Sequence, residues 1–266
     1  MLLSHKYKFI FIKTKKTSGT AFETVFSKYL GEDDIITPVS ELNLFGKIRK
    51  FESVTEEDSR FKFNGVVPRN YKGNFTEETK NFLKQLYSFQ KRYLINFGRK
   101  IFGLSSLKYI KMKRRFKFEQ HMTCGELKKI LPEDIYNNYS KITIIRNPYD
   151  QAISDYYDMK NRPEHEEVKD FDHYLEIRCE NFFKKNYEKF VYNNSIETDI
   201  IFRYENLKED LKKFCLNKKF PLDVINDYNN FTIHSGLNTN KIHLNSSQKN
   251  KIQKYASFFF DNFYKK

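Results

Sequence analysis

The chain has 266 residues, enough to bury a sizeable core as one large α/β domain or two small ones. Its 48 Lys and Arg against 34 Asp and Glu leave a net charge of +14, which favours a polyanionic partner: nucleic acid, an anionic membrane face, an acidic polymer or a multiply phosphorylated cofactor. Three widely spaced cysteines (Cys124, Cys179 and Cys215) form no C-x-x-C pair, so neither a disulfide framework nor a zinc site is suggested, and a reducing cytoplasm is the expected location. No signal peptide, internal repeat or apolar run of membrane-spanning length is read, and 27 Phe and 18 Tyr supply much of the core.

Residues 6–23, KYKFIFIKTKKTSGTAFE, make the first recognisable unit. An apolar, β-prone run (Tyr7, Phe9 to Ile12) gives way to the polar turn Lys15-Lys16-Thr17-Ser18-Gly19-Thr20. Ala21, Phe22, Val25, Phe26, Tyr29 and Leu30 then recur at helical spacing. Strand, turn and helix in this order build an anion cradle, because the first N–H groups of a helix have no intrahelical acceptor and its dipole favours negative charge there. Gly19 permits close backbone approach, the hydroxyls add donors, and Lys16 adds a full charge. The bland alternative is a solvated lysine turn.

Gly31-Glu32-Asp33-Asp34 closes this unit, and Ile35-Ile36-Thr37-Pro38 starts a long connection that is irregular and polar through residue 75. A helix is expected from Thr76, with Phe82, Leu86, Phe89, Tyr93 and Phe97 on one face, followed by a basic run from Lys108 to Lys117. Thr123, with Glu126 three residues on, reads as the capping box of a helix through Leu131, which leaves His121 on a loop just before it. The second strong unit is residues 141–157: Ile142 to Ile145 as a buried strand, Arg146-Asn147-Pro148 as a turn, and a helix carrying Ser154. An arginine at the end of a parallel strand stands where open α/β sheets bind ligands, though a structural arginine bonding loop carbonyls fits this unit equally. Asp199 to Arg203 is a further short strand, followed by an amphipathic helix (Leu207, Leu211, Phe214, Cys215), a polar loop over residues 229–245 and a last helix over residues 247–263. Strands alternating with helices predict an α/β, three-layer fold in one domain, residues 1–266, around a mainly parallel sheet, with residues 39–117 as a variable insert.

The two units together resemble the motifs of the sulfotransferase superfamily, which uses 3′-phosphoadenosine-5′-phosphosulfate (PAPS). Lys15-Lys16-Thr17-Ser18-Gly19-Thr20-Ala21 is similar to its P-loop-like 5′-phosphosulfate loop, and Arg146, Asn147, Pro148, Asp150, Ser154 and Tyr156 match its 3′-phosphate motif. The order of Asp33 to Pro38, Pro68 to Tyr71, His121-Met122 and Arg203 to Leu207 resembles small bacterial carbohydrate-type members. Lys15 replaces the usual proline and Ala21 the usual hydroxyl residue. The resemblance implies that Lys16, Thr17, Ser18, Gly19 and Thr20 hold the phosphosulfate, that Arg146 and Ser154 hold the 3′-phosphate, and that Lys16 stabilises the leaving group. It also implies His121 as the base, with Glu119 as the competing carboxylate. The reaction implied is in-line transfer of the sulfuryl group to a hydroxyl or amine of a small-molecule or glycan acceptor, with no metal. The insert is expected to shape the acceptor site.

Two other classes compete. A P-loop kinase also opens with strand, phosphate loop and helix, but here Lys16 precedes the glycine instead of following it as in G-x-x-x-x-G-K-[ST]. A basic nucleic-acid-binding protein would explain the charge, yet no helix-turn-helix, finger or RNP-like motif is read, and no nucleic-acid partner is expected.

Overall fold

The computed structural model describes residues 1–31, 34–36, 121–160, 168–234 and 242–265. The insert at 39–117, the helix expected from Thr76, the basic run from Lys108 to Lys117, the Pro68 to Tyr71 motif and Glu119 lie outside the described residues.

The fold is mixed α/β, with a mostly parallel central sheet and helices. Among the described residues five strands pair in one sheet, in the order β3 (Ile35–Ile36), β1 (Leu2–Ser4), β2 (Phe9–Ile12), β4 (Ser140–Ile145), β7 (Ile200–Arg203). β2, β4 and β7 are parallel neighbours; β1 is antiparallel to both β2 and β3, so β1 alone runs against the other four. Val191–Tyr192 (β5) and Ser195–Ile196 (β6) form a separate small hairpin. All four residues of β2 are buried, as its continuous apolar run requires of a central strand. Successive side chains point to opposite faces, so Phe9 and Phe11 feed one core cluster and Ile10 and Ile12 the other.

The first cluster takes in the face of α1 (Gly19–Phe26), with Phe22 stacked between Phe11 and Phe26 at centroid distances of 4.1 and 4.0 Å. The second gathers α2 (Cys124–Ile130), α3 (Glu133–Asn138), α4 (Pro148–Lys160), and the run α5 (Phe171–Tyr174), a π-helical Leu175–Cys179, and α6 (Glu180–Tyr187). α7 (Leu207–Asn217) and α8 (Asp223–His234) belong with α1, whereas α9 (Ser246–Tyr255) and α10 (Ser257–Phe263) join the second cluster. Among the described residues no helix is long and apolar enough to cross a membrane.

The local signals at helix starts hold. Thr123 and Glu126 form the capping box of α2, and Pro148 is the first residue of α4, where its missing N–H is not needed. Three expectations change. Ile35–Ile36 pairs with β1 as a strand, at the edge of the sheet among the described residues, instead of starting a connection. Buried Asp34 ties both to the hairpin turn by accepting from Ser4 Oγ (2.7 Å), the His5 backbone N–H and the Gly31 backbone N–H (2.7 Å). The stretch read as polar loop from residue 229 is helical as far as His234. Val224 and Tyr228, one turn apart, dock against α1, and this packing outweighs the poor helix propensity of the Asn residues. The last helix breaks at Ala256 (φ −108°, ψ 24°), and Ile252 and Phe259 both reach the core across the break.

Phe22→Ala empties the middle of the aromatic stack without touching any polar group. It should cost about 3–5 kcal/mol, seen as a lowered urea midpoint with an unchanged slope; a loss under about 1 kcal/mol would show that the stack contributes little.

Candidate functional site

The loop between β2 and α1 contains two residues in the left-handed region that are not glycine, Lys16 (φ 61°) and Ser18 (φ 65°). Such positions cost roughly 1–3 kcal/mol each and persist only where the surroundings impose them. Here the surroundings are side chains from three other segments. Gln151 Nε2 of α4 donates to the Lys15 carbonyl (2.7 Å), Asn186 Oδ1 of α6 accepts from the Lys15 N–H (2.7 Å), and Arg146 Nη1 at the end of β4 donates to the Lys16 carbonyl (3.4 Å). Gln151 and Asn186 are each 1% exposed. From below, Thr14 Oγ1 bonds Thr17 Oγ1 (2.8 Å) and the carbonyl of Ile144.

The expected hydroxyl donors are already engaged. Thr17 is buried and bonded to Thr14; Ser18 Oγ meets the Tyr228 hydroxyl at 2.7 Å; Thr20 Oγ1 accepts from Lys13 Nζ at 2.7 Å. The N-cap residue of α1, Ser18, makes no side-chain capping bond, so among the described residues the first-turn N–H groups have no side-chain cap. Lys16 Nζ lies 3.2 Å from Asp158 Oδ1, one helical turn beyond Ser154 on α4. The Ser154 hydroxyl is half-buried and makes no hydrogen bond among the described residues. Arg146 stacks its guanidinium 4.3 Å over the Tyr204 ring, and its Nε is buried without a partner among the described residues. Lys16 and Arg146 are thus brought together directly, whereas Ser154, one helical turn before Asp158, makes no hydrogen bond to either among the described residues.

The sequence reading missed Lys13. Its buried ammonium pairs with Glu23 Oε2 (3.1 Å), and Glu23 also pairs with the α-amino group of Met1. A Cβ on Gly19 would lie 2.8 Å from Lys13 Cγ, so the glycine is needed to let the Lys13 stem pass beneath the turn. The alternation of β2, continued one residue, would have placed Lys13 inward, but an inward lysine is legible only once its carboxylate partner on α1 is known.

His121 sits on the other side of Lys13. Its Nδ1 lies 3.1 Å from the Lys13 carbonyl. A carbonyl only accepts, so Nδ1 carries the hydrogen and Nε2 keeps its lone pair. Burial, and then the positive charge of Lys13, hold the imidazole well below its ordinary 6.5, so it is neutral at pH 7. Lys189 Nζ donates to the His121 carbonyl, and the Cys124 N–H bonds the Lys189 carbonyl (2.8 Å), which fixes the turn before α2. The cysteines play no part here: all three are free and buried, and burial pushes each thiol up to about 12.

The arrangement offers helix N–H groups, a lysine and an arginine for anions, with a neutral imidazole beyond Lys13 as a proton acceptor. Comparison with known protein-family models, curated proteins and solved structures found no match.

Two outcomes follow. As pH falls through 6.5 the unfolded chain protonates His121 and the folded chain does not, so stability declines on acidification. His121→Asn should flatten the stability profile below that point by up to about 1.4 kcal/mol per pH unit; an unchanged slope in urea titrations between about pH 5 and 7 would contradict the depressed pKa. Gly19→Ala should destabilise the fold by displacing Lys13; a melting temperature equal to that of the parent would show that the loop yields freely.

Proposed function

We propose that this chain is a PAPS-dependent sulfotransferase: a single three-layer α/β domain whose P-loop-like strand, loop and helix hold the cofactor, and which sulfates a hydroxyl or amine of a glycan or similar acceptor. The observation that carries this reading is the meeting of Arg146 and Lys16. Two motifs that lie 130 residues apart in sequence touch at the carboxyl ends of adjacent parallel strands, which is where open α/β sheets take nucleotides.

Three features of the chain fit a nucleotide carrying phosphate at two ends. The first turn of α1 has no side-chain cap, Lys16 is partly exposed beside it, and Arg146 has a buried Nε without a partner among the described residues. PAPS, when bound, supplies the sulfuryl group and departs as the 3′,5′-bisphosphate. The first-turn amides and Lys16 bind the 5′ end, and Arg146 with Ser154 binds the 3′-phosphate. Lys16 stands at the site where the leaving oxygen gains negative charge, a contribution larger in the bond-breaking state than before it. His121, neutral and with the lone pair on Nε2, takes the proton that the acceptor hydroxyl loses.

Arg146→Ala should weaken binding of the product bisphosphate roughly tenfold to a hundredfold by calorimetry, measured at a temperature where the variant is shown to be folded; an unchanged affinity would count against a 3′-phosphate role. Lys16→Ala should abolish transfer of labelled sulfate while the protein stays folded. If ATP protects the fold thermally and PAPS does not, the kinase reading replaces this one.

A further inference from the structure

The short turn Tyr204–Asn206 leads directly out of β7. In the parallel pairing of β4 with β7, Ile145 stands opposite Arg203, so the next residues, Arg146 and Asn147, leave the sheet beside Tyr204 and Glu205. Both neighbours are used. The Tyr204 ring carries the Arg146 guanidinium on its face, and Glu205 Oε1 accepts from the Asn147 N–H at 2.6 Å.

That N–H belongs to the rigid peptide plane between Arg146 and Asn147, so the bond fixes the backbone from which the arginine side chain leaves. It is also a group that α4 does not serve. Asn147 precedes the helix as its cap: its side-chain oxygen accepts from the Tyr149 N–H (3.0 Å) and its carbonyl from the Gln151 N–H (2.9 Å). In a capping box the third helical residue would reach back to the N–H of the cap. That residue is Asp150, and the acceptor here is Glu205 from the neighbouring strand.

The second carboxylate oxygen is held as well. Tyr264, just past α10, donates its hydroxyl to Glu205 Oε2 (3.0 Å), and the Arg203 guanidinium lies 5.3 Å from its ring centre. Burial, and then the Glu205 charge, raise the Tyr264 phenol above its ordinary 10, so it remains a donor. Behind it, α10 is anchored by buried Phe259 and by Phe260, whose ring meets that of Tyr149 on α4 at 5.2 Å. Glu205 is exposed, yet groups from two other segments engage both of its oxygens.

We propose that Glu205 is a positioning residue of the 3′-phosphate site: it fixes the peptide that carries Arg146, and Tyr264 holds it in that pose. This rests on the sulfotransferase reading for the ligand, because that reading gives Arg146 the 3′-phosphate. Glu205 acts through the Arg146 peptide and needs no contact with the nucleotide.

The test compares adenosine 3′,5′-bisphosphate with adenosine 5′-phosphate, which lacks only the 3′-phosphate, by calorimetry on folded protein. The parent should prefer the bisphosphate. Glu205→Ala should reduce that preference about fivefold to tenfold with 5′-phosphate affinity unchanged, and Tyr264→Phe should reduce it by a smaller factor. Glu205→Gln should keep it, because an amide oxygen still accepts from the Asn147 N–H and the amide nitrogen donates to the Tyr264 oxygen. An unchanged preference in Glu205→Ala, equal weakening of both nucleotides, or a loss in Glu205→Gln as large as in Glu205→Ala would overturn the assignment. Amide hydrogen exchange gives a second readout that needs no ligand: the Asn147 N–H should exchange faster in Glu205→Ala than in the parent, and an unchanged rate would also overturn it. A parent that binds neither nucleotide, with that exchange accelerated in the variant, would overturn the cofactor reading while supporting the tether of Glu205 to the Arg146 peptide.

Discussion

Everything at the candidate site depends on a backbone shape that the loop cannot hold by itself. Lys16 and Ser18 occupy left-handed conformations that side chains disfavour, and no turn of two or three residues supplies enough hydrogen bonds to compensate. The compensation comes from Gln151, Asn186 and Arg146, each bonding a main-chain group of Lys15 or Lys16. Two of these supports are buried, where bonds to main-chain groups are strongest and their loss leaves unsatisfied partners. The loop is therefore a joint between β4, α4 and α6 as much as a link from β2 to α1.

A second constraint lies beneath it. Lys13 and Glu23 form a buried ion pair, with the Met1 amino group on the same carboxylate. Such pairs add little net stability, yet breaking one strands a charge in low dielectric. The positive charge kept there lowers the pKa of His121 through space, while the Lys13 carbonyl fixes the imidazole tautomer. Lys13, just past the end of β2, thus adds to burial in keeping the proposed base neutral and also fixes its orientation, and Gly19 is the glycine that makes room for it.

The sequence was most legible where chemistry is local. Capping at Thr123, helix initiation at Pro148 and the buried runs of β2 and β4 follow from nearest neighbours, and the structure has them. It was least legible where tertiary contact overrides propensity: α8 forms through an Asn-rich stretch because Val224 and Tyr228 pack on α1, and Ile35–Ile36 becomes a strand because β1 offers an edge. At the candidate site, Lys16 and Arg146 could be named from motif and spacing, and His121 only through the family resemblance. Gln151, Asn186 and Lys13 could not, since polar residues in a helix or strand look solvent-facing until the partner main chain is placed against them. Thr17 shows the same limit in reverse: its residue type suggests a ligand donor, and its hydroxyl is turned inward to Thr14.

The contact between Lys16 and Asp158 bears on how an anion could be admitted. A pair at 3.2 Å with both partners partly exposed is worth on the order of 0.2–1 kcal/mol. A phosphate or sulfate group carrying more charge, and met at the same time by the first-turn amides of α1, gains considerably more than that from the same lysine. The exchange is therefore favourable once an anion is present. Until it occurs, Asp158 keeps a flexible four-carbon side chain near the helix mouth instead of dispersed in solvent, so less rotamer entropy is lost when the anion arrives. On this argument a carboxylate beside an anion site assists binding through the free state, even though it repels the ligand in the bound one.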